Sequence, residues 1–140
     1  MNKHRLKEYI SLGSILIAWL ILIHLVYLMI YPYEPLIINN VKIFKDHYKV
    51  GDSILYEVDY CKNIDGGAMV TKNFEYGIIF MTKSYYTNID VGCNTKNISV
   101  LIPNTLPEGN YKLSISAEYN VNLLRDVTIR YDTPNFEVIE

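Results

Sequence analysis

An all-β head folded as an antiparallel sandwich, preceded by one N-terminal transmembrane α-helix, is the architecture this sequence predicts. Three observations carry it. The 22 residues from Ile10 to Tyr31 contain no charged side chain. Beyond Pro35, short apolar/polar alternations recur about every eight to twelve residues with turn signals between them. No amphipathic 3.6-residue period interrupts them. The chain divides into a basic tail at 1–8, a membrane helix at 9–31 and a head at 32–140 whose 109 residues suit one core.

The helix comes first. At about 1.5 Å of rise per residue, the uncharged run spans roughly 33 Å, enough to cross a hydrocarbon core of about 30 Å with every backbone amide paired internally. Lys3, Arg5 and Lys7 precede it, which places the tail in the cytoplasm and the head outside, periplasmic or extracellular. A cleaved signal peptide is the rival reading. The apolar run is about twice the usual signal core, and Ile30-Tyr31-Pro32-Tyr33-Glu34 offers no small-x-small cleavage site, so a retained signal-anchor is expected. Tyr27, Tyr31 and Tyr33 are expected to form the outer aromatic girdle. Ser11, Ser14 and Ala18 make a small-residue stripe, which suggests a homo-oligomer through the anchor as one partner.

In the head, Leu36–Phe44 reads as the first strand, and Tyr48 to Asp52 as a turn with Gly51 at positive φ. Ser53–Tyr60 alternates, with Ile54, Tyr56, Val58 and Tyr60 inward. Ala68–Tyr76 follows, with Val70, Phe74 and Tyr76 as apolar contributors, then shorter strands at Gly77–Thr82 and Tyr85–Val91. Asn97–Ile102 places Ile98, Val100 and Ile102 on one face. Gly109–Tyr119 is the strongest strand, with Tyr111, Leu113, Ile115, Ala117 and Tyr119 inward. Asn120–Leu124 turns the chain into a last strand, Arg125–Tyr131 plus Asn135–Ile139, broken at Thr133-Pro134 because proline cannot donate to a ladder.

The segment Pro107-Glu108-Gly109-Asn110-Tyr111-Lys112-Leu113 resembles, through Gly109 and Tyr111, the tyrosine corner opening strand F of immunoglobulin-like sandwiches. The resemblance implies an immunoglobulin-like head. Leu113 stands where antibody-type domains carry their second inter-sheet cysteine, and the only tryptophan, Trp19, is in the anchor. The architecture is therefore expected without membership of the antibody family. The phrases Asp59-Tyr60-Cys61-Lys62, Leu106-Pro107-Glu108-Gly109-Asn110-Tyr111 and Tyr119-Asn120-Val121-Asn122-Leu123-Leu124-Arg125 resemble small single-pass membrane proteins of bacteriophages and bacteria. That resemblance implies a layout and no activity.

Cys61 and Cys93 both fall in the head, as a disulfide in an oxidising compartment requires; two unpaired buried thiols are the alternative. Cys61 is expected at a strand end and Cys93 in a loop. The head carries ten Lys and Arg against fourteen Asp and Glu, a net charge of −4, which argues against nucleic acid as a partner. His47 is the only histidine of the head: with two cysteines expected to be oxidised it cannot supply the three or four ligands zinc needs, and it is the sole base a His-based triad could use on that side of the membrane, with no spacing that marks its partners. Asp59, Asp65, Asp90, Asp126 and Asp132 are scattered and form no calcium loop. No cofactor, metal or catalytic residue is therefore expected. Tyr85, Tyr86, Asn120 and Asn122 are the candidate partner surface. The expectation is a non-enzymatic interaction or structural module in the membrane, bound to an envelope or surface protein. The alternatives are a cell-wall glycan hydrolase and a structural subunit of a larger membrane complex.

Overall fold

The computed structural model describes residues 3–31 and 34–139, with side chains from residue 12 onward. Among the described residues, helix α1 (Lys3–Ile30) is followed by strands as the only regular elements. Its segment Leu12–Ile30 has a mean hydropathy of 2.4 and no buried residue, and is long and apolar enough to cross a membrane. The helix begins within the basic tail, ahead of the apolar run, because Lys, Leu, Arg and Glu are good helix formers that continue an existing helix at little cost.

The head is mostly β and has two sheets. The smaller orders β1 (Leu36–Ile43), β3 (Ser53–Lys62) and β7 (Gly92–Leu101), with β3 central and both pairings antiparallel. The larger runs β2 (His47–Lys49), β10 (Phe136–Ile139), β8 (Gly109–Asn122), β4 (Ala68–Tyr76) and β5 (Ile78–Met81). In it β6 (Tyr85–Thr87) pairs with the other half of β4, and β9 (Arg125–Asp132) with the other half of β8. Strand β2 joins β10 in parallel, and the remaining pairings are antiparallel. Side chains of both sheets meet in one core, which includes Ile54, Tyr56 and Val58 from β3 and Phe74, Leu113, Ile115 and Phe136 from the larger sheet.

Alternation explains most of this. The five inward residues expected on β8 are all buried, as are the four expected on β3. Several places differ: Asn120–Asn122, expected in a turn, continue β8, and the strand expected at Tyr85–Val91 is only Tyr85–Thr87. Tyr48, expected in a turn, lies in β2: its buried ring meets Phe136 edge-on at 5.7 Å, and that packing makes a strand of a three-residue segment with no period of its own. The turn falls just after it, with Gly51 at φ 86°. Cys93, expected in a loop, lies in β7 directly opposite Cys61, and their Sγ atoms form a 2.01 Å disulfide. Strand β7 is exposed along most of its length, so its first half carries no apolar alternation to read. Tyr76 is exposed, although its ring packs on Tyr111 at 5.4 Å between centroids.

Candidate functional site

Strand β5 is the end of the larger sheet. It pairs with β4 alone, from Tyr76↔Ile78 to Asn73↔Met81, through a hairpin whose single linking residue, Gly77, takes φ 61°. Such an edge leaves a row of backbone N–H and C=O groups unpaired, and soluble proteins commonly blunt it with charge, proline or a bulge. Here the strand reads Ile-Ile-Phe-Met, and Ile78, Ile79 and Met81 are 69%, 60% and 76% exposed. Because consecutive strand residues face opposite ways, Ile79 and Met81 share one face, and the exposed Met69 and Tyr86 extend the apolar surface toward β6.

Tyr85 and Tyr86 divide their roles as adjacent strand residues must. The Tyr86 ring is exposed, and its hydroxyl accepts a hydrogen bond from Gly67 N at 3.0 Å. The Tyr85 ring lies under Lys72 Nζ at 5.0 Å and lines a cavity between the sheets. That cavity has a volume of about 130 Å³; its walls include Val58, Val70, Ile98 and Ile115, and no Asp or Glu lines it. Lys72, Tyr56, Tyr60 and Tyr119 are its buried polar members, and Lys96 and Tyr85 are exposed at its edge.

Sequence reasoning alone does not single out Lys72, although the signal is present: it sits between Val70 and Phe74 on the inward face of β4. It is 7% exposed and makes no hydrogen bond or ion pair through Nζ among the described residues, and burial pulls its ammonium down to about 8. Lys62 shows the usual solution for a buried lysine. Its Nζ donates to Gly66 O, to Asn88 Oδ1 at 2.7 Å and to Ile89 O at 2.7 Å. Tyr56 Oη is also buried and without a hydrogen-bond partner. Burial raises the Tyr56 and Tyr131 phenols, the latter to about 12, so both stay protonated at neutral pH.

The turn after β8 reaches back to helix α1. Asn122 Nδ2 donates to Leu28 O at 2.6 Å and an Arg125 guanidinium nitrogen donates to Ile30 O at 3.0 Å, so the head satisfies carbonyls that the last helical turn leaves unpaired. Asn122 Oδ1 accepts from Leu124 N at 2.9 Å. Leu123 at the tip is 99% exposed. The residues expected to share one partner surface therefore separate: Tyr85 faces the cavity, Asn122 holds the helix, Asn120 is exposed on β8, and Tyr86 joins the apolar edge. Tyr27 and Tyr31 stack at the helix end, 5.2 Å between centroids, and Tyr33 lies outside the described residues. At the start of β8, the Tyr111 hydroxyl donates to Pro107 O at 2.8 Å, and Gly109 is partly buried against the Tyr76 ring.

On the outer face of β4, β8 and β9, Glu75 and Asp132 share Lys112 and Arg130 in contacts of 2.6 to 3.8 Å. Hydrogen bonding to Lys112 holds the Asp132 carboxyl below the usual carboxylate range, which commits it to its partners and away from proton transfer. Among the described residues, no three His, Cys, Asp or Glu side chains group closely enough to hold a metal ion. No protein-family model matches this chain, and no curated protein matches it in sequence.

Proposed function

We propose that this protein is a non-enzymatic, membrane-anchored interaction module. Helix α1 holds an immunoglobulin-like head on the extracytoplasmic side of the bilayer, and the head engages another envelope or surface protein through the open edge of β5. The immunoglobulin-like reading is supported by the order of strands. Two outer strands flank β3 in one sheet. In the other, the first segment pairs in parallel with the last strand, which continues through β8 and β4 to β5. The Tyr111 hydroxyl bond to Pro107 is what a tyrosine corner requires.

The single observation that carries the interaction reading is the unprotected apolar edge at Ile78, Ile79 and Met81. A partner strand added there would gain ladder hydrogen bonds and bury those side chains together. Tethering helps, because confinement to one membrane raises effective concentration and lets a modest surface suffice. Replacing Ile79 with lysine puts a charge on that edge while leaving the core untouched, and is expected to change head stability by less than about 0.5 kcal/mol. A photo-crosslinker at Met81 in native membranes is expected to capture a specific envelope neighbour that is lost in Ile79→Lys. Crosslinks that recur unchanged in Ile79→Lys, or none from Met81 while other surface positions capture a neighbour, would rule out β5 as the docking edge.

A further inference from the structure

We infer that the cavity between the sheets is a binding site for a small apolar carboxylate, about the size of benzoate, with Lys72 supplying the counter-charge and Tyr56 a hydroxyl donor. This is independent of the β5 docking edge and stands whether or not that edge has a partner.

Four observations converge on it. The cavity, about 130 Å³, is close to the roughly 150 Å³ apolar cavity known to admit benzene, so a single ring or a short branched chain fits it. Its walls are dominated by aliphatic and aromatic side chains, which select an apolar body. Its charged lining residues are Lys72 and Lys96, with no carboxylate, in a head whose net charge is negative. A cation would meet repulsion there and an anion would be drawn in. Lastly, two polar groups inside lack partners. Lys62, equally buried, is fully supplied with oxygen acceptors, whereas Lys72 has only the face of Tyr85. Tyr56 Oη, fully buried, makes no hydrogen bond of normal length, and the hydroxyl that neighbours it is that of Tyr131. Buried polar atoms left unpaired are costly, and a carboxylate would satisfy both kinds at once, since it accepts from an ammonium and from a hydroxyl.

Keeping an unpartnered ammonium among apolar side chains disfavours the folded state, so Lys72→Met, of similar length and apolar, is expected to fold and to melt at a higher temperature than the parent. The test uses the full chain in phosphatidylcholine nanodiscs, with empty nanodiscs as the reference for partitioning into lipid. Binding of 4-fluorobenzoate, 4-fluorobenzyl alcohol and 4-fluorobenzylamine is followed by fluorine NMR of the ligand. The acid is expected to bind about tenfold or more tightly than the alcohol, and the amine not to bind. Lys72→Met is expected to abolish the preference for the acid, and Tyr56→Phe, which removes one oxygen and no packing, to weaken the acid about three- to tenfold. Affinity for the acid should fall between about pH 7 and about pH 9, because the benzoate stays ionised while Lys72 loses its proton near 8. Equal binding of acid and alcohol, an acid preference that survives Lys72→Met, or no binding of the acid at about 10 mM to the folded parent would each overturn the assignment.

Discussion

Replacing Phe74 with alanine is expected to cost about 3–5 kcal/mol of stability, because the ring lies at the centre of the core and cannot be replaced by its neighbours. It is fully buried on β4, opposite Leu113 of β8 on one side and Phe80 of β5 on the other, and it meets the Phe136 ring edge-on at 6.4 Å. Removing it leaves a void where β4, β8 and β10 converge. For a domain whose whole margin is about 5–15 kcal/mol, much of the folded population is at stake. Urea denaturation of the full chain in detergent micelles checks this, with Met69→Ala on the exposed face of the same strand as the comparison; that variant is expected to lose less than about 1 kcal/mol. A Phe74→Ala midpoint no lower than that of Met69→Ala would mean that the core is not organised around this residue.

The second large effect concerns Cys61 and Cys93. The bridge joins positions 32 residues apart and closes a loop containing β4, β5 and β6. In the loop-entropy model that closure is worth about 3–4 kcal/mol, acting on the unfolded chain. The Cys61→Ala/Cys93→Ala variant is therefore expected to unfold at a markedly lower urea concentration than the parent, and adding a thiol reductant is expected to bring the parent to the same midpoint without moving the variant. The bridge lies near the β3 end that carries Lys62, whose ammonium clasps the loops at Gly66 and at Asn88 and Ile89. Its loss should loosen those loops first, which hydrogen exchange at residues 63–67 and 88–90 would report. Equal midpoints for parent and variant under non-reducing conditions would show that the bridge contributes nothing to the fold.

Much of this structure is legible in the residues, for an identifiable reason. Where a strand has one face in the core and the other in water, burial and sequence share a period of two, and every residue expected inward on β3 and β8 is buried; Ser114, expected outward, is buried as well, where its hydroxyl accepts from Arg130. Where neither face of a strand is well covered, as in β7 around Cys93, nothing in the composition marks the strand, and its partner β3 alone determines it. Tyr48 shows a third case, a short segment made extended by a long-range ring contact. The functional surface divides along the same lines. Adjacent isoleucines at 78 and 79 imply that one must face outward, but the exposure of both follows from β5 being an edge, a property of the sheet order and not of the segment. The two-residue period of β4 puts Lys72 on the inward face between Val70 and Phe74, a position the sequence reading leaves unremarked, and only the fold reveals that nothing there neutralises it. Asn122 looked like a free loop residue, and the fold directs its amide to a helix carbonyl 94 positions away.

The proposed role depends on which side of the membrane carries the head. The most direct measurement places one epitope tag before residue 1 and another after residue 140 of the full chain, and exposes intact cells to an external protease. The expected result is loss of the C-terminal tag with the N-terminal tag protected until the membrane is broken, and retention of the anchor in the membrane fraction after an alkaline wash. Digestion of the N-terminal tag with the C-terminal tag protected, or a mature chain that begins near residue 30, would contradict it.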